Sequence, residues 1–266
     1  MLRHTLASKN SEGLELTSPE ARSVWMRATP QLDITSSKVH LLAAKLTKLL
    51  VTDRDKAVAL HNYVQSLPFG CVADFLNTKA SDVIAQGYGD CHTKGPLFVA
   101  LLRAASVPSR LRFVTLPTRF LTGIIETGVS SMTHAIAEVY LDSRWYQTDT
   151  YVVDADLNRA ARELLAAKNM QLGYGVHALG EQAWNGTQDA HAQYTQADPS
   201  SLPVVDWGVA HDPAHFYADK SHAALRQSFT VRVKWMLGAH IVNRKVEQIR
   251  QQGGLFKSTS PPQTAL

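Results

Sequence analysis

A cysteine between a glycine-bounded turn and a dense apolar segment is the feature that most constrains this chain. Asp90 and Cys91 follow a Gly-Tyr-Gly turn, and residues 97–102 then read LFVALL. This density predicts a buried helix that begins at Asp90 or Cys91 and runs to about residue 105. Backbone N–H groups at a helix start carry partial positive charge, so a thiol there is expected to ionise easily. A lone cysteine is more commonly a small buried hydrophobe, so Cys91 needs partners elsewhere in the chain.

Composition narrows the classes of protein. The 266 residues allow one large domain or a domain with an extension, and two cysteines, Cys71 and Cys91, are too few for a disulfide framework. No apolar run of membrane-spanning length and no apolar leader is visible, so we expect a cytoplasmic protein without an integral membrane segment. Residues 226–257 hold seven Lys or Arg and one Glu, which gives this stretch a net charge of +6. The whole chain has a net charge of +4, so the remaining residues sum to about −2. Without a second basic element or interleaved aromatic residues, a helix with a solvated charged face is favoured over a nucleic-acid surface, and contact with an acidic membrane surface or partner is the third alternative.

Hydrophobic periodicity gives a coarse order of elements. Helices are predicted near residues 37–50 and 53–67, with a short helical turn at 81–87. A strand at 110–115 precedes a loop at 116–132 whose apolar residues are expected either to cover something or to form a short extra strand or helix. Beyond residue 154 the prediction is a helix at 157–169, long loops at 170–212 that could line or cover a cleft, with His177 and His191 at the surface, and a long helix at 225–250.

A predicted hairpin supplies the partners that Cys91 requires. One strand begins at His134, a tight turn occupies residues 142–144, and the returning strand ends at Asp149. In an antiparallel hairpin the start of one strand lies beside the end of the next, so His134 and Asp149 should be neighbours. Asp149 can then orient the imidazole and leave its other nitrogen for the thiol, which is the nucleophile, base and orienter arrangement of a cysteine acyl-transfer enzyme.

Three motifs carry a family resemblance. Residues 89–91 (GDC), followed by residues 97–110 (LFVALLRAASVPSR), resemble the cysteine signature of the transglutaminase-like superfamily, whose helix ends in "R-x-x-G-I-P-A-R". Residues 134–140 (HAIAEVY) resemble its "HAW-x-EV" strand, and residues 145–150 (WYQTDT) resemble its "W-x-x-x-D-x-T" strand. The order of the three motifs makes the resemblance specific over roughly residues 50–155.

The resemblance implies an α+β fold with a transglutaminase-like, papain-like core, in which the nucleophile helix packs on an antiparallel sheet. It also implies Cys91 as nucleophile, His134 as general base and Asp149 as orienting carboxylate. Ile136 and Ser106 depart from the family's usual tryptophan and glycine, which affects the shape of the pocket but removes no catalytic group. The expected organisation is an N-terminal arm (1–35), a catalytic core (36–155), a helical and loop extension packed on the core (156–257) and a disordered tail (258–266).

The sequence also suggests roles for residues next to these motifs. An oxyanion hole would use the backbone N–H of Cys91 and one further donor, for which Gln86 and Tyr88 are the candidates. His92 is expected to point around the helix away from the thiol. Cys71 is expected to be a packed core thiol.

Metal and cofactor chemistry is not expected. The pair His211 and His215 has zinc-ligand spacing, but no third ligand is evident in the sequence, so we predict neither a metal nor a cofactor.

Two functions remain open from the sequence. The first is an enzyme that cleaves or exchanges an amide bond of a peptide, a protein or a small amide through a thioester on Cys91, with water or an amine as the second nucleophile. The second is an inactive copy of the fold that serves as a binding or scaffold module. The substrate and the oligomeric state are not specified by any of these patterns.

Overall fold

The computed structural model describes Leu16 and residues 19–225 and 229–257. The first five helices precede the first three strands, and further helices and short strands follow. The helices are α1 (Pro19–Val24), α2 (Ser37–Thr47), α3 (Asp53–Ser66), α4 (Ala80–Gln86), α5 (Cys91–Ala104), α6 (Ala155–Ala167), α7 (Pro213–Ala218) and α8 (Phe229–Lys257). The strands are β1 (Ser109–Pro117), β2 (Ser131–Leu141), β3 (Arg144–Thr148), β4 (Leu172–Gly173), β5 (Val176–His177) and β6 (Val205–Ala210).

The main sheet is antiparallel and has the strand order β3-β2-β1-β6. Helix α5 packs against β1 and β2, and α2, α3 and α4 surround it. The predicted α+β fold, with the cysteine helix on an antiparallel sheet, is therefore confirmed. β2 and β3 form the predicted hairpin, joined by Asp142 and Ser143 with positive φ, as a tight two-residue turn requires.

Helix α5 is the centre of the hydrophobic core. Every residue from Leu97 to Leu102 is fully buried, because the helix is covered by the sheet on one side and by other helices around it. The helix ends at Ala104, and Ser106 beyond it has φ +66°, in the left-handed region. The transglutaminase-like motif usually has glycine here, and glycine adopts this conformation without steric cost.

A buried ion pair joins two of the sequence motifs. Arg110 on β1 and Glu138 on β2 are Cα partners in the sheet, and Arg110 Nε lies 2.5 Å from Glu138 Oε2. Arg112 Nε binds the other oxygen of Glu138 at 2.6 Å. The arginine that closes the cysteine motif and the glutamate of the histidine motif therefore lock the register that places His134 opposite Val114.

Three strands differ from the prediction of long loops at 170–212. The short strands β4 and β5 pair with each other, and β6 lies on the open edge of β1. Its apolar residues Val205, Trp207 and Val209 do alternate, but the run is short and contains Gly208, which has φ +82°. The pairing with β1 is irregular between Arg112 and Val114, and the strand is half-buried or exposed throughout. At the C-terminus, the predicted helix at 225–250 is shifted to 229–257, and the predicted tail at 258–266 lies outside the described residues.

The C-terminal helix is fixed to the core beside the cysteine helix. Arg250 on α8 binds Asp154 through Nε at 3.1 Å and Nη2 at 2.8 Å. The Asn243 side chain accepts a hydrogen bond from the Cys71 N–H and donates one to the Cys71 carbonyl. α8 also packs along α6. Within the described ranges, no helix combines the length and apolar character needed to cross a bilayer.

Candidate active site

Cys91 is the first residue of α5, where the sequence predicted it. Asp90 is the N-cap: its carboxylate accepts hydrogen bonds from the His92 N–H at 3.0 Å and from the Thr93 hydroxyl at 3.1 Å. It also accepts the Val72 N–H at 2.9 Å, which ties the preceding loop to the helix start. These contacts hold the thiol at a fixed point at the end of a rigid element.

His134 and Asp149 meet across the end of the β2–β3 hairpin. His134 Nε2 lies 3.0 Å from Asp149 Oδ2, and both side chains are buried. Because an ionised carboxylate only accepts hydrogen bonds, Nε2 carries the proton in the neutral imidazole, and Nδ1 keeps its lone pair. His134 also lines the same cavity as Cys91. The geometric relation that the hairpin predicted is therefore present.

The segment beyond the core completes the environment of Asp149. Ala192 donates its backbone N–H to Asp149 Oδ1 at 2.6 Å, and Ala190 exchanges backbone hydrogen bonds with Asp149 and Gln147. Burial alone would raise the pKa of Asp149. The hydrogen bond and charge of His134, the nearby His191 and the Ala192 N–H outweigh burial, and the pKa lies below the usual value. The carboxylate therefore stays ionised at neutral pH.

The thiol of Cys91 is less acidic than the helix start alone predicted. Burial raises its pKa, and the neighbouring Asp90 carboxylate raises it further, whereas a hydrogen bond from the Ala135 N–H lowers it. The expectation of an easily ionised thiol is therefore wrong for the free protein, because desolvation and a negative neighbour exceed the effect of the helix N-terminus. A base must take the proton before the sulfur can attack.

His92 is closer to the thiol than the sequence predicted. Its Nδ1 lies 3.1 Å from Cys91 Sγ, so the expectation that it points away from the thiol is wrong. Its Nε2 contacts the Tyr217 hydroxyl at 3.2 Å, and that hydroxyl lies 2.5 Å from the Thr133 hydroxyl. Burial, with a smaller effect of the His134 charge, lowers the pKa of His92 to about 3. This ring therefore remains neutral and is a weak base.

An apolar cavity opens next to Cys91. It encloses about 980 Å³ of space free of protein atoms, counting the part open to solvent. Phe120, Leu121, Ile124 and Ile125 form one wall, so the apolar loop predicted to cover something does so, partly as a 3₁₀ turn at Thr118–Leu121. The predicted role of the 170–212 segment in lining a cleft is also observed.

Neither predicted oxyanion side chain reaches this cavity. Gln86 is exposed and donates its amide to the Tyr88 carbonyl at 2.8 Å. The Tyr88 ring lies over Gly70, where a Cβ would come within 2.8 Å of Tyr88 Cδ2. The backbone N–H of Cys91, at the first position of α5, remains the oxyanion donor that the helix geometry favours.

The other residues singled out in the sequence contact the surrounding protein. Cys71 lines the cavity wall, and burial raises the pKa of its thiol to about 12. The His211 and His215 rings are 5.4 Å apart, and His211 packs on Trp25. No group of three or more metal-binding side chains occurs in the part of the chain that the structure describes. His177, predicted at the surface, is buried and paired with Asp198 at 3.2 Å.

Sequence reasoning missed the two contributions of residues 192 and 193. Ala192 acts through its backbone, which leaves no signal in the sequence. Gln193 lines the cavity and is 4% exposed, yet it lies in a segment with no periodicity. A glutamine in a polar loop gives no reason to expect burial.

Comparison with known proteins supports the family resemblance. A model of the transglutaminase-like superfamily matches residues 41–150, a range that contains Cys91, His134 and Asp149. No curated protein matches the sequence. A putative cysteine protease from Cytophaga hutchinsonii is 20% identical, with a TM-score of 0.41 over 49% of this chain and 42% of its own. A putative protease from Parabacteroides distasonis is 17% identical, with a TM-score of 0.33 over 55% of this chain and 32% of its own. The chain thus spans less than half the length of either structure.

Proposed function

We propose that this chain, whose residues 41–150 match the transglutaminase-like superfamily, is a cysteine acyl-transfer enzyme that cleaves or exchanges an amide bond through a thioester on Cys91. One observation carries the proposal. His134, held by Asp149 at 3.0 Å, lines the same cavity as a cysteine at the start of a buried helix. This is the nucleophile, base and orienter set that covalent acyl transfer requires.

The proposed reaction has two steps. His134 Nδ1 takes the proton of the thiol as Cys91 Sγ attacks the carbonyl carbon, and the negative charge on the carbonyl oxygen faces the Cys91 N–H. His134 then gives the proton to the leaving amine, and the carbon–nitrogen bond breaks to leave the thioester. Water or a second amine attacks the thioester, His134 again moves the proton, and the sulfur is released as the thiol. Water makes the enzyme a peptidase or amidase, and an amine makes it a transamidase.

The raised pKa of Cys91 keeps the sulfur as a thiol in the free protein, which supports His134 as the group that takes its proton. His92 also touches the sulfur, but its low pKa and its hydroxyl partner make it a poor general base. We therefore expect His134→Ala to lower the acylation rate by several orders of magnitude and His92→Ala to lower it much less. A larger loss in His92→Ala than in His134→Ala would instead assign the base role to His92.

Acylation of Cys91 by a p-nitrophenyl ester tests the proposal without knowledge of the natural substrate. Intact-mass analysis of the full chain should show one acyl group, absent from Cys91→Ala and present in Cys71→Ala, which removes the other thiol of the same cavity. Loss of the adduct in water, against transfer to added methylamine, separates hydrolysis from transamidation. If no adduct forms, or if Cys91→Ala is acylated equally, the inactive-module alternative holds.

A further inference from the structure

The cavity beside Cys91 is lined mostly by apolar side chains. These aliphatic and aromatic residues come from several separate segments and include Phe75, Ile124, Val152 and Val242. No lysine or arginine lies among the described residues that line it. An anion entering this space would lose its hydration without a cation to replace it. A cation would meet the Asp90 carboxylate, but that group already accepts three hydrogen bonds, so either charge is expected to cost several kcal/mol.

Most polar side chains of the lining already form hydrogen bonds within the protein. Asp90 accepts three hydrogen bonds at the helix start. His92, Tyr217 and Thr133 form a connected row, and His134 is bound to Asp149 outside the lining. Because these side chains are hydrogen-bonded within the protein, a ligand could pair with them only if the existing hydrogen bonds broke.

Gln193 is the exception. Its side chain is 4% exposed and lines the cavity, and its Oε1 has no hydrogen-bond partner in the described part of the chain. An unpaired buried amide oxygen costs roughly 1–3 kcal/mol, and buried polar groups in folded proteins are rarely left so. The Ala192 N–H holds Asp149, so the residue that follows it is positioned by the same contact that orients the catalytic set.

A side-chain amide can both donate and accept, and its natural partner is another neutral amide. We propose that the acyl donor is a neutral peptide-like amide with an apolar side chain, and that Gln193 pairs with the amide of its acyl portion while the apolar walls hold the side chain. This inference rests on the proposed acyl-transfer function and assigns its substrate class.

Four p-nitrophenyl esters test this specificity on the full-length protein. Three carry N-acetyl-leucine, N-acetyl-glutamate and N-acetyl-lysine as the acyl group, and the fourth carries 4-methylpentanoate, which keeps the leucine shape but lacks the amide. We expect N-acetyl-leucine to acylate Cys91 roughly 100-fold faster than the two charged esters, because of the cost of burying a charge. With each rate divided by the rate of the same ester with free 2-mercaptoethanol, it should also react roughly 10-fold faster than the amide-free ester, because only it satisfies Gln193.

The variant Gln193→Met keeps the length and apolar volume of the side chain and removes the amide. It should slow N-acetyl-leucine roughly 10-fold and leave 4-methylpentanoate within about twofold. Gln188→Met, the same change at an exposed position of the same segment, should alter neither rate.

Three outcomes would overturn the inference while leaving acyl transfer intact: charged esters that react as fast as N-acetyl-leucine, no rate difference between N-acetyl-leucine and the amide-free ester in the unaltered protein, or a Gln193→Met variant that slows both of those esters equally. If Gln193→Met fails to fold, the comparison of the four esters on the unaltered protein still decides. Absence of any Cys91 adduct with all four esters would instead refute the proposed function itself.

Discussion

Replacing Asp149 with asparagine probes the proposed catalytic set of Cys91, His134 and Asp149 through its hydrogen bonds. Asp149 accepts from the Ala192 N–H at 2.6 Å through Oδ1 and from His134 Nε2 at 3.0 Å through Oδ2. Asparagine has one oxygen. The backbone N–H of Ala192 can only donate, so the oxygen must face it, and the asparagine NH₂ then faces His134. The imidazole must accept there, which moves its proton to Nδ1, the nitrogen that should take the thiol proton.

The expected loss follows from this tautomer change. With Nδ1 protonated, Cys91 has no base and its raised pKa keeps it as a thiol at pH 7. A wrong tautomer in a catalytic triad lowers the rate about 10⁴-fold, which corresponds to about 5 kcal/mol in the barrier. The substitution keeps the shape of the side chain, and one buried hydrogen bond changes, so a loss of about 1–3 kcal/mol in the free energy of unfolding is expected.

The assay is the rate of Cys91 acylation by N-acetyl-leucine p-nitrophenyl ester between pH 6 and 9, with urea unfolding measured in parallel. Asp156→Asn, at an exposed site on α6, is the matched control and should behave as the unaltered protein. In Asp149→Asn the deficit should shrink at high pH, where the thiol ionises without a base. A folded Asp149→Asn protein that is acylated within about threefold of the unaltered rate at pH 7 would refute the tautomer argument.

Three further changes test the scaffold. Ser106→Gly should raise the free energy of unfolding by up to about 1 kcal/mol in a urea titration, since glycine relieves the cost of φ +66° but adds freedom to the unfolded chain; a clear destabilisation would contradict this. Arg250→Met should lower that free energy by about 3 kcal/mol, because it leaves the Asp154 carboxylate without its cation, and an unchanged midpoint would show that the pair contributes little. Burial lowers the pKa of Lys94 to about 7, so the unfolded chain binds more protons from pH 7 to about 10, and stability should rise with pH across that range. Lys94→Met should abolish that rise, and a Met variant with the same slope would assign the effect to another group.

The sequence predicted the parts of the site that depend on local pattern. Cys91 at a helix start, and His134 beside Asp149, follow from the apolar periodicity of α5 and from the geometry of a tight hairpin. The ion pair between Arg110 and Glu138 also has a sequence signal, since both residues belong to recognisable motifs.

The parts that failed depend on long-range contacts. The ionisation of Cys91 is set by how much surrounding chain desolvates it, which no local pattern reports. His92 reaches the sulfur because Tyr217, which lies more than a hundred residues later, holds its far nitrogen. β6 is difficult to recognise from its sequence, because its alternating run is short and contains a glycine, and its pairing with β1 is irregular.

The contact between Ala192 and Asp149 has a consequence for how such proteins diverge. The family match ends at residue 150, yet the carboxylate is covered by chain that arrives some forty residues later. The contact uses a backbone N–H, which proline lacks, and the space around the fully buried Ala192 limits the size of the side chain there. The next residue, Gln193, lines the cavity in which we propose that the acyl donor binds. On this proposal the groups that move the proton and the side chain that selects the ligand lie in separate stretches of the chain, so selection can alter ligand preference while the proton-transfer residues stay constant.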